Sequence, residues 1–301
     1  MSLAFHTLDV FTETRFGGNP LAVVLDADGL TDAQMQAIAR EFNLSETVFV
    51  MKPQNPAHSA RVRIFTPARE LPFAGHPTVG TAVLLAGLKG TGASGDGDAI
   101  VVLEEQIGLV RVGVRFRHGR APFAEFDVPK LPEDLGGAAS AERIAAALGL
   151  IPSEIGFANH KPTRFTAGVP YCFVPIASLD AMAKARVNPA SWQAAFGDEG
   201  AAYLYSSATM HATAQLHARM FMPADGIAED PATGSAAAAL AGVVHLFDRP
   251  PEGNHKRTIE QGLEMGRPSM ITLTLEVRGG KLSGVRIGGH AVSVLEGTLS
   301  V

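Results

Sequence analysis

The chain has 301 residues, 46% of them hydrophobic, and a net charge of −5, with 25 lysines and arginines scattered along its length. That length accommodates two ordinary domains with a core each. The dispersed positive charge excludes a row of phosphate contacts, so nucleic acid is not an expected partner.

In chain order, residues 4–10 and 21–25 read as strands joined through Gly17-Gly18-Asn19-Pro20. Thr31 followed by Gln34 has the form of a capping box, and Met35, Ile38, Ala39 and Phe42 follow at helical spacing. An amphipathic helix ending near Asn43 is the consequence. Residues 46–50, opening on the carboxylate of Glu46, and 61–66 read as strands. Beyond Pro67 a loop runs to His76, and Pro77 stands where proline suits the first position of a helix over 78–88 that carries almost no charge. A helix apolar all round is expected to be buried. Residues 99–103 and 109–116 return to strand character across Gly108. Gly90-Thr91-Gly92-Ala93-Ser94-Gly95 matches the dinucleotide glycine pattern, but it follows a helix and precedes a strand, the reverse of what pyrophosphate binding needs. It reads as a turn.

Residues 127–137, rich in Pro, Gly and acidic side chains, read as a linker. Ser140 caps a short helix ending at Gly149, and Asp230 reads as the cap of a second nearly uncharged helix over 231–247. The longest apolar run, 236–244, is too short to span a bilayer, and Asp9 and Glu13 interrupt the first residues before a signal-like apolar core forms. No membrane partner is expected, and the expected location is cytoplasmic. Cys172 is the single cysteine, which excludes an internal disulfide and multi-cysteine metal sites, and the histidines show no metal-ligand spacing. No metal is expected.

One phrase recurs about half the chain later. Ile64-Phe65-Thr66-Pro67-Ala68 leads into His76-Pro77-Thr78-Val79-Gly80-Thr81-Ala82, and Met220-Phe221-Met222-Pro223-Ala224 leads into Asp230-Pro231-Ala232-Thr233-Gly234-Ser235-Ala236. Gly18-Asn19-Pro20 and Gly168-Val169-Pro170 echo at a similar distance, as do Glu105-Gln106 and Glu260-Gln261. Such self-similarity reads as two copies of one domain. The expected fold is α+β: two similar domains, each a barrel-like, mostly antiparallel sheet around one central helix. The expected division is 1–128 and 129–288, with the C-terminal strand, about 289–301, a candidate to return to the first domain.

Each buried helix opens on a polar residue followed by proline and presents unpaired N–H groups and a positive dipole end. If those ends face each other, the cleft between the halves binds a carboxylate. Gly75 beside His76, and Gly234-Ser235 in the second helix, let backbone approach such a ligand closely. Glu46, at the mouth of a strand among Leu44, Val48 and Phe49, is a candidate acid/base whose pKa desolvation would raise. Its counterpart in the second half falls near Gly200, with Glu199 one residue away.

Gly18-Asn19-Pro20, Leu44-Ser45-Glu46-Thr47, Leu71-Pro72-Phe73-Ala74-Gly75-His76-Pro77-Thr78, Glu229-Asp230-Pro231-Ala232-Thr233-Gly234-Ser235-Ala236 and Gln261-Gly262 with Met265-Gly266-Arg267-Pro268-Ser269 together resemble the PhzF phenazine-biosynthesis isomerase family, in its order and over nearly the whole chain. The resemblance implies the diaminopimelate-epimerase-like fold with the active site between the halves, a cofactor-free isomerase acting on a small carboxylate-bearing molecule, and a homodimer. It implies Glu46 as the acid/base that moves a proton, with His76 and Asp230 in catalytic support and Asn19, Gly75, Gly234 and Ser235 against the substrate. Related amino-acid epimerases use two cysteines as their base pair, and neither helix opening here offers one.

Each of these residues also has an inert reading: Glu46 as a solvated strand end, Asp230 and His76 as plain caps, Ser235 as a small first-turn residue. Two other functions fit the same residues. One is a module that binds a metabolite without turning it over. The other is a Ser/His/Asp hydrolase, set lower because Ser235 lacks the Gly-x-Ser-x-Gly elbow.

Overall fold

The computed structural model describes residues 2–301 apart from 198, 199 and 226. The chain forms two compact units, Met1–Pro129 with Gly288–Val301, and Lys130–Ile287.

The first unit contains β1 (Ser2–Val10), β2 (Asn19–Val24), α1 (Asp32–Phe42), β3 (Glu46–Met51), β4 (Ala60–Phe65), the two-residue β5 (Glu70–Leu71), α2 (Gly75–Leu88), β6 (Gly97–Glu105), β7 (Gly108–Phe116) and β8 (Phe123–Asp127). β1 pairs antiparallel with β2, β2 parallel with β3, β3 antiparallel with β4, β4 parallel with β6, and β6–β7 and β7–β8 antiparallel. The C-terminal strand Lys281–Ser300 pairs with β8 and with β1. The ring of strands thereby closes into a barrel, which leaves no sheet edge to recruit another chain.

α2 fills the barrel. Every residue from Gly75 to Leu84 is buried, and the helix packs on β1, β2, β3, β6, β7 and β8. Its stability comes from this burial, because it has no charged residue to form a side-chain pair. α1 lies outside, with the capping box formed as its local spacing requires: Gln34 N–H donates to Thr31 Oγ1 at 3.3 Å and Thr31 N–H donates to Gln34 Oε1 at 3.0 Å. Its apolar stripe of Met35, Ile38 and Ala39 packs with Phe49 and Phe65.

Gly18 makes the sharp entry into β2. It sits at φ 64°, and a Cβ there would stand 2.3 Å from the Val10 carbonyl oxygen. Gly18→Ala is therefore expected to cost about 1–3 kcal/mol of folding free energy, read as a lowered urea midpoint at unchanged slope. A loss below half of that would show that the turn relaxes.

The second unit contains β9 (Glu133–Asp134), α3 (Ala141–Leu148), β10 (Thr163–Thr166), β11 (Pro170–Pro175), α4 (Leu179–Lys184), α5 (Pro189–Phe196), β12 (Ala202–Ser206), β13 (Leu216–Met222), β14 (Ile227–Asp230), α6 (Gly234–Asp248), β15 (Gly253–Gln261) and β16 (Ser269–Arg278). Its ladder runs β9–β10 and β10–β11 antiparallel, β11–β12 parallel, β12–β13 antiparallel, β13–β15 parallel and β15–β16 antiparallel. From β10 onward this is the order of pairings seen from β1 to β7. α6 is buried from Ala236 to Val244 and packs on β9, β10, β11 and β16. Outside it, α3, α4 and α5 cover a second cluster that includes Ile144, Leu148, Trp192, Leu204 and Phe221.

Both central helices start elsewhere than the proline positions suggest. α2 begins at Gly75 with extended Ala74 as its N-cap, so His76 is the second helical residue and not the cap. α6 begins at Gly234 after Thr233, so Asp230 is not its cap either. The reason in the second case is that Asp230 is held in the β13–β14 ladder opposite Met220, and the Pro231 carbonyl is taken by the Ser269 hydroxyl at 2.9 Å. The first intrahelical bond available is Ala237 N–H to Thr233 O.

Candidate active site

In the first unit three chain segments meet at one end of α2. β2 starts at Asn19, which is fully buried, and lies parallel to β3 with Leu21 opposite Glu46. The left-handed Asn43 that ends α1 turns the chain so that β3 opens on Glu46. Across from it the first turn of α2 presents Gly75 and His76. The structure thus brings together Glu46 and His76, with His76 Nε2 3.4 Å from Glu46 Oε2 and side chains only 4% and 13% exposed.

This contact is not an ion pair. Burial pushes the His76 imidazole down to about 3, against a smaller opposing effect from its hydrogen bond to the Pro20 carbonyl. Nε2 is buried and has no hydrogen-bond partner, so Nδ1 is the donor to Pro20 and the Nε2 lone pair is the face left toward Glu46. A neutral imidazole with one fixed tautomer follows. Between pH 7 and 5 the His76 ring resonances are expected to stay flat while an exposed histidine titrates; an ordinary step near pH 6.5 would overturn that assignment.

In the second unit the polar turn ahead of α6 is tied from several sides. Thr233 Oγ1 donates to Asp230 Oδ2 at 2.6 Å. The fully buried Gln261, last residue of β15, uses all its capacity: Nε2 donates to the Asp230 carbonyl at 2.8 Å and to Thr233 Oγ1 at 3.1 Å, and Oε1 accepts from Thr233 N–H and the Tyr203 hydroxyl, each at 3.2 Å. Gly262 follows at φ 77°, where a Cβ would lie 2.6 Å from the Pro231 carbonyl oxygen. Gln261-Gly262 therefore closes against the turn with no room for a side chain at 262. On α6, Ser235 is the second helical residue, and its Oγ lies 2.7 Å from the hydroxyl of buried Tyr171. Asp230, Gly234 and Ser235 are thus collected around one helix opening. Ser235 makes its hydrogen bond to a phenol, not to an imidazole as a hydrolase nucleophile would.

The bracing residues Tyr171 and Tyr203 carry no sequence signal of their own, and Thr233 stands in the repeated phrase without a role the phrase could assign. Gln261 did stand within a motif, yet its task depends on sheet register. Register also settles the counterpart of Glu46. Thr47 faces Phe65 as Ala202 faces Phe221, so the residue matching Glu46 is Ala201, with no carboxylate. Glu199 lies outside the described residues. Cys172 is buried in β11, and burial pushes its thiol up to about 12, so it is no source of thiolate near neutral pH. Among the described residues no group of three His, Cys, Asp or Glu side chains could hold a metal ion, and no helix is long and apolar enough to cross a membrane.

Helix-centred, mostly antiparallel sheets of this pairing order define the epimerase-like class of α+β folds. The chain belongs to the PhzC-PhzF family of phenazine biosynthesis-like proteins, whose family model matches residues 8–297. It is 54% identical over 97% of both chains to an uncharacterized isomerase of Mesorhizobium japonicum. It is 37% identical, again over 97% of both, to the trans-2,3-dihydro-3-hydroxyanthranilate isomerase of Pseudomonas fluorescens. A PhzF-family phenazine biosynthesis protein of Bacillus anthracis superposes over all of both chains with TM-score 0.88 at 25% identity. The protein is an isomerase resembling the phenazine-pathway enzyme.

Proposed function

We propose that this isomerase moves a proton between carbons of a small, unsaturated carboxylic acid, with Glu46 as the group that takes and returns it and with no cofactor in the step. The observation that carries the reading is the buried Glu46–His76 contact. An imidazole lone pair 3.4 Å from a carboxyl oxygen is attractive when a proton lies on the carboxyl and repulsive when none does. His76, neutral and fixed by Pro20, thereby favours the loaded form of Glu46 and yields when Glu46 delivers. A single carboxylate serves both directions, since the matching position is Ala201.

The same reading gives the amide-bearing openings of α2 and α6 the task of holding oxygen atoms. Gly75 and Gly234 are the first helical residues, where free N–H groups and the positive dipole end favour an anion. Asn19 is the polar side chain beside the first opening, and Asp230 and Ser235 are those beside the second, each a substrate-binding candidate of its own unit. The substrate class follows from the Pseudomonas relatives, which act on trans-2,3-dihydro-3-hydroxyanthranilate. A homodimer in the cytoplasm is the setting the family resemblance implies.

The test is incubation with trans-2,3-dihydro-3-hydroxyanthranilate in deuterated buffer. One solvent deuteron is expected in the isomerised product. A rise in unfolding temperature with neither isomer nor deuterium would favour a binding module, and product formed without solvent label would remove Glu46 exchange from the mechanism. Ser235→Ala is expected to raise KM about tenfold with a smaller change in kcat, the loss of one hydrogen bond to a charged group. A Ser235→Ala enzyme with unchanged KM would take the residue out of substrate binding.

A further inference from the structure

Glu105, the last residue of β6, is a carboxyl group for which the proton transfer has no use. It is 8% exposed, and Thr78 Oγ1 lies 2.8 Å from its Oε1 and 2.8 Å from the carbonyl oxygen of Ala74. A hydroxyl has one proton. Ala74 O can only accept, so when Thr78 donates to it, the bond between Thr78 and Glu105 has to be donated by a carboxylic acid. Glu105 Oε2 is buried without a hydrogen-bond partner, which a neutral acid tolerates far better than a carboxylate. Ala74 is the N-cap of α2, and Gly75 and His76 follow it directly.

The second unit holds the same strand position with an amide. In the parallel β4–β6 pair Arg61 faces Glu104, and in the parallel β13–β15 pair His217 faces Glu260. Glu104 accepts from two turn N–H groups and His58 Nδ1, and Glu260 accepts from two turn N–H groups and His217 Nδ1. The next residues, Glu105 and Gln261, therefore match. Gln261 braces Asp230 and Thr233 ahead of α6; Glu105 reaches Ala74 through Thr78 ahead of α2.

We propose that Glu105 is a positioning residue that fixes the first turn of α2, and His76 upon it, by donating its acid proton to Thr78 so that Thr78 can donate to Ala74. Ionisation reverses the chain: Thr78 turns its one proton to the carboxylate, the N-cap carbonyl keeps only the longer bond from Thr78 N–H at 3.3 Å, and an uncompensated charge sits against the turn. Burial pushes this group up to about 8, with the Thr78 bond acting the other way. The brace is therefore intact below that pH and released above it. The titratable and charged groups nearby are His58 and Glu104, which line the same cavity and bond each other at 2.7 Å, Arg61 opposite Glu104, and His76 on α2. Glu104 is already held at about 2 by the N–H groups of Asn55 and Gln54, so it stays charged throughout.

The inference rests on His76 serving the proposed reaction, but its test does not. His76 ring resonances are followed from pH 6 to 10 in the full-length protein and in Glu105→Gln, which keeps a donor toward Thr78 and cannot ionise. A step near pH 8 is expected in the wild type and none in Glu105→Gln; a step that persists in the variant, or none in either, overturns the proposal. Thr78→Val keeps the volume and cuts the relay, so it is expected to shift the His76 signals at all pH values and to abolish the step. With trans-2,3-dihydro-3-hydroxyanthranilate as substrate, kcat is expected to fall about tenfold per pH unit above 8 in the wild type and to stay level in Glu105→Gln. No turnover by either protein with the resonance step present would strike the proposed reaction and leave Glu105 as the brace.

Discussion

Glu46→Gln is expected to reduce solvent-deuterium incorporation into trans-2,3-dihydro-3-hydroxyanthranilate by about 10²–10⁴-fold, the usual worth of a positioned acid/base group. The substitution is nearly isosteric and leaves β3 paired with β2 and β4. An amide can also donate to the Nε2 lone pair of His76, so the substitution brings no new unpaired group against the imidazole. What it cannot do is carry a proton. The unfolding temperature and the substrate-induced rise in it are therefore expected to stay close to the wild-type values, which separates lost chemistry from lost folding. Exchange at the wild-type rate would return Glu46 to an ordinary strand end. Lost exchange together with a collapsed unfolding temperature would mean that the pair with His76 is structural. His76→Asn gives the complementary measurement: it keeps a side-chain donor for Pro20 and removes the Nε2 lone pair, so exchange is expected to fall by a smaller factor with folding retained.

How far the residues announce this site depends on how local each interaction is. The capping box of α1 spans three residues, and both the spacing and the structure show it. The two central helices are apolar nearly throughout, and that alone predicts burial whatever surrounds them. The α+β class follows from such helices set among short strands. The helix starts are less visible. Pro77 is the third residue of α2, whereas Pro231 lies three residues ahead of α6, so matching the two prolines pairs His76 with Asp230 although helical position pairs it with Ser235. Strand position likewise pairs Glu105 with Gln261, one residue off the Glu105/Glu260 echo. The strand slip has a plain cause. A partner chosen by parallel sheet register is separated by a whole helix in sequence, and no periodicity within a window reports it.

The repeated phrase also starts one residue too late to include its most consequential member. Arg63 and Arg219 stand two residues before Phe65 and Phe221, and each guanidinium lies over that ring, 5.1 and 4.8 Å from its centroid. Each also makes a two-pronged bond to a glutamate on the following short strand: Arg63 to Glu70 at 2.7 Å on both prongs, Arg219 to Glu229 at 2.8 Å on both. The remaining nitrogen separates them. Arg63 Nη1 bonds Asp32, which is 82% exposed and adds little in water. Arg219 Nη1 instead donates to the carbonyls of Met182 and Ala185 at 2.7 and 2.9 Å, closing the C-terminus of α4 where a cation suits the dipole.

Arg219→Met is accordingly expected to cost about 3–5 kcal/mol, because it leaves Glu229, 15% exposed, as an unpaired charge and frees two carbonyls at once. Arg63→Met is expected to cost clearly less, since its site is wetter and, of the two carboxylates it releases, Asp32 is already solvated. Urea titration followed by the fluorescence of Trp192, which belongs to the core beneath α4 and α5, reads the first loss directly. Adding Glu229→Gln to Arg219→Met removes the stranded charge and is expected to restore part of the stability. Equal losses at the two arginines, or no recovery in the double variant, would place the stabilisation in ring packing and not in the fork. Because Glu229 immediately precedes Asp230 on β14, Arg219→Met at a temperature where the protein remains folded is also expected to raise KM, an effect Arg63→Met has no route to produce through that strand.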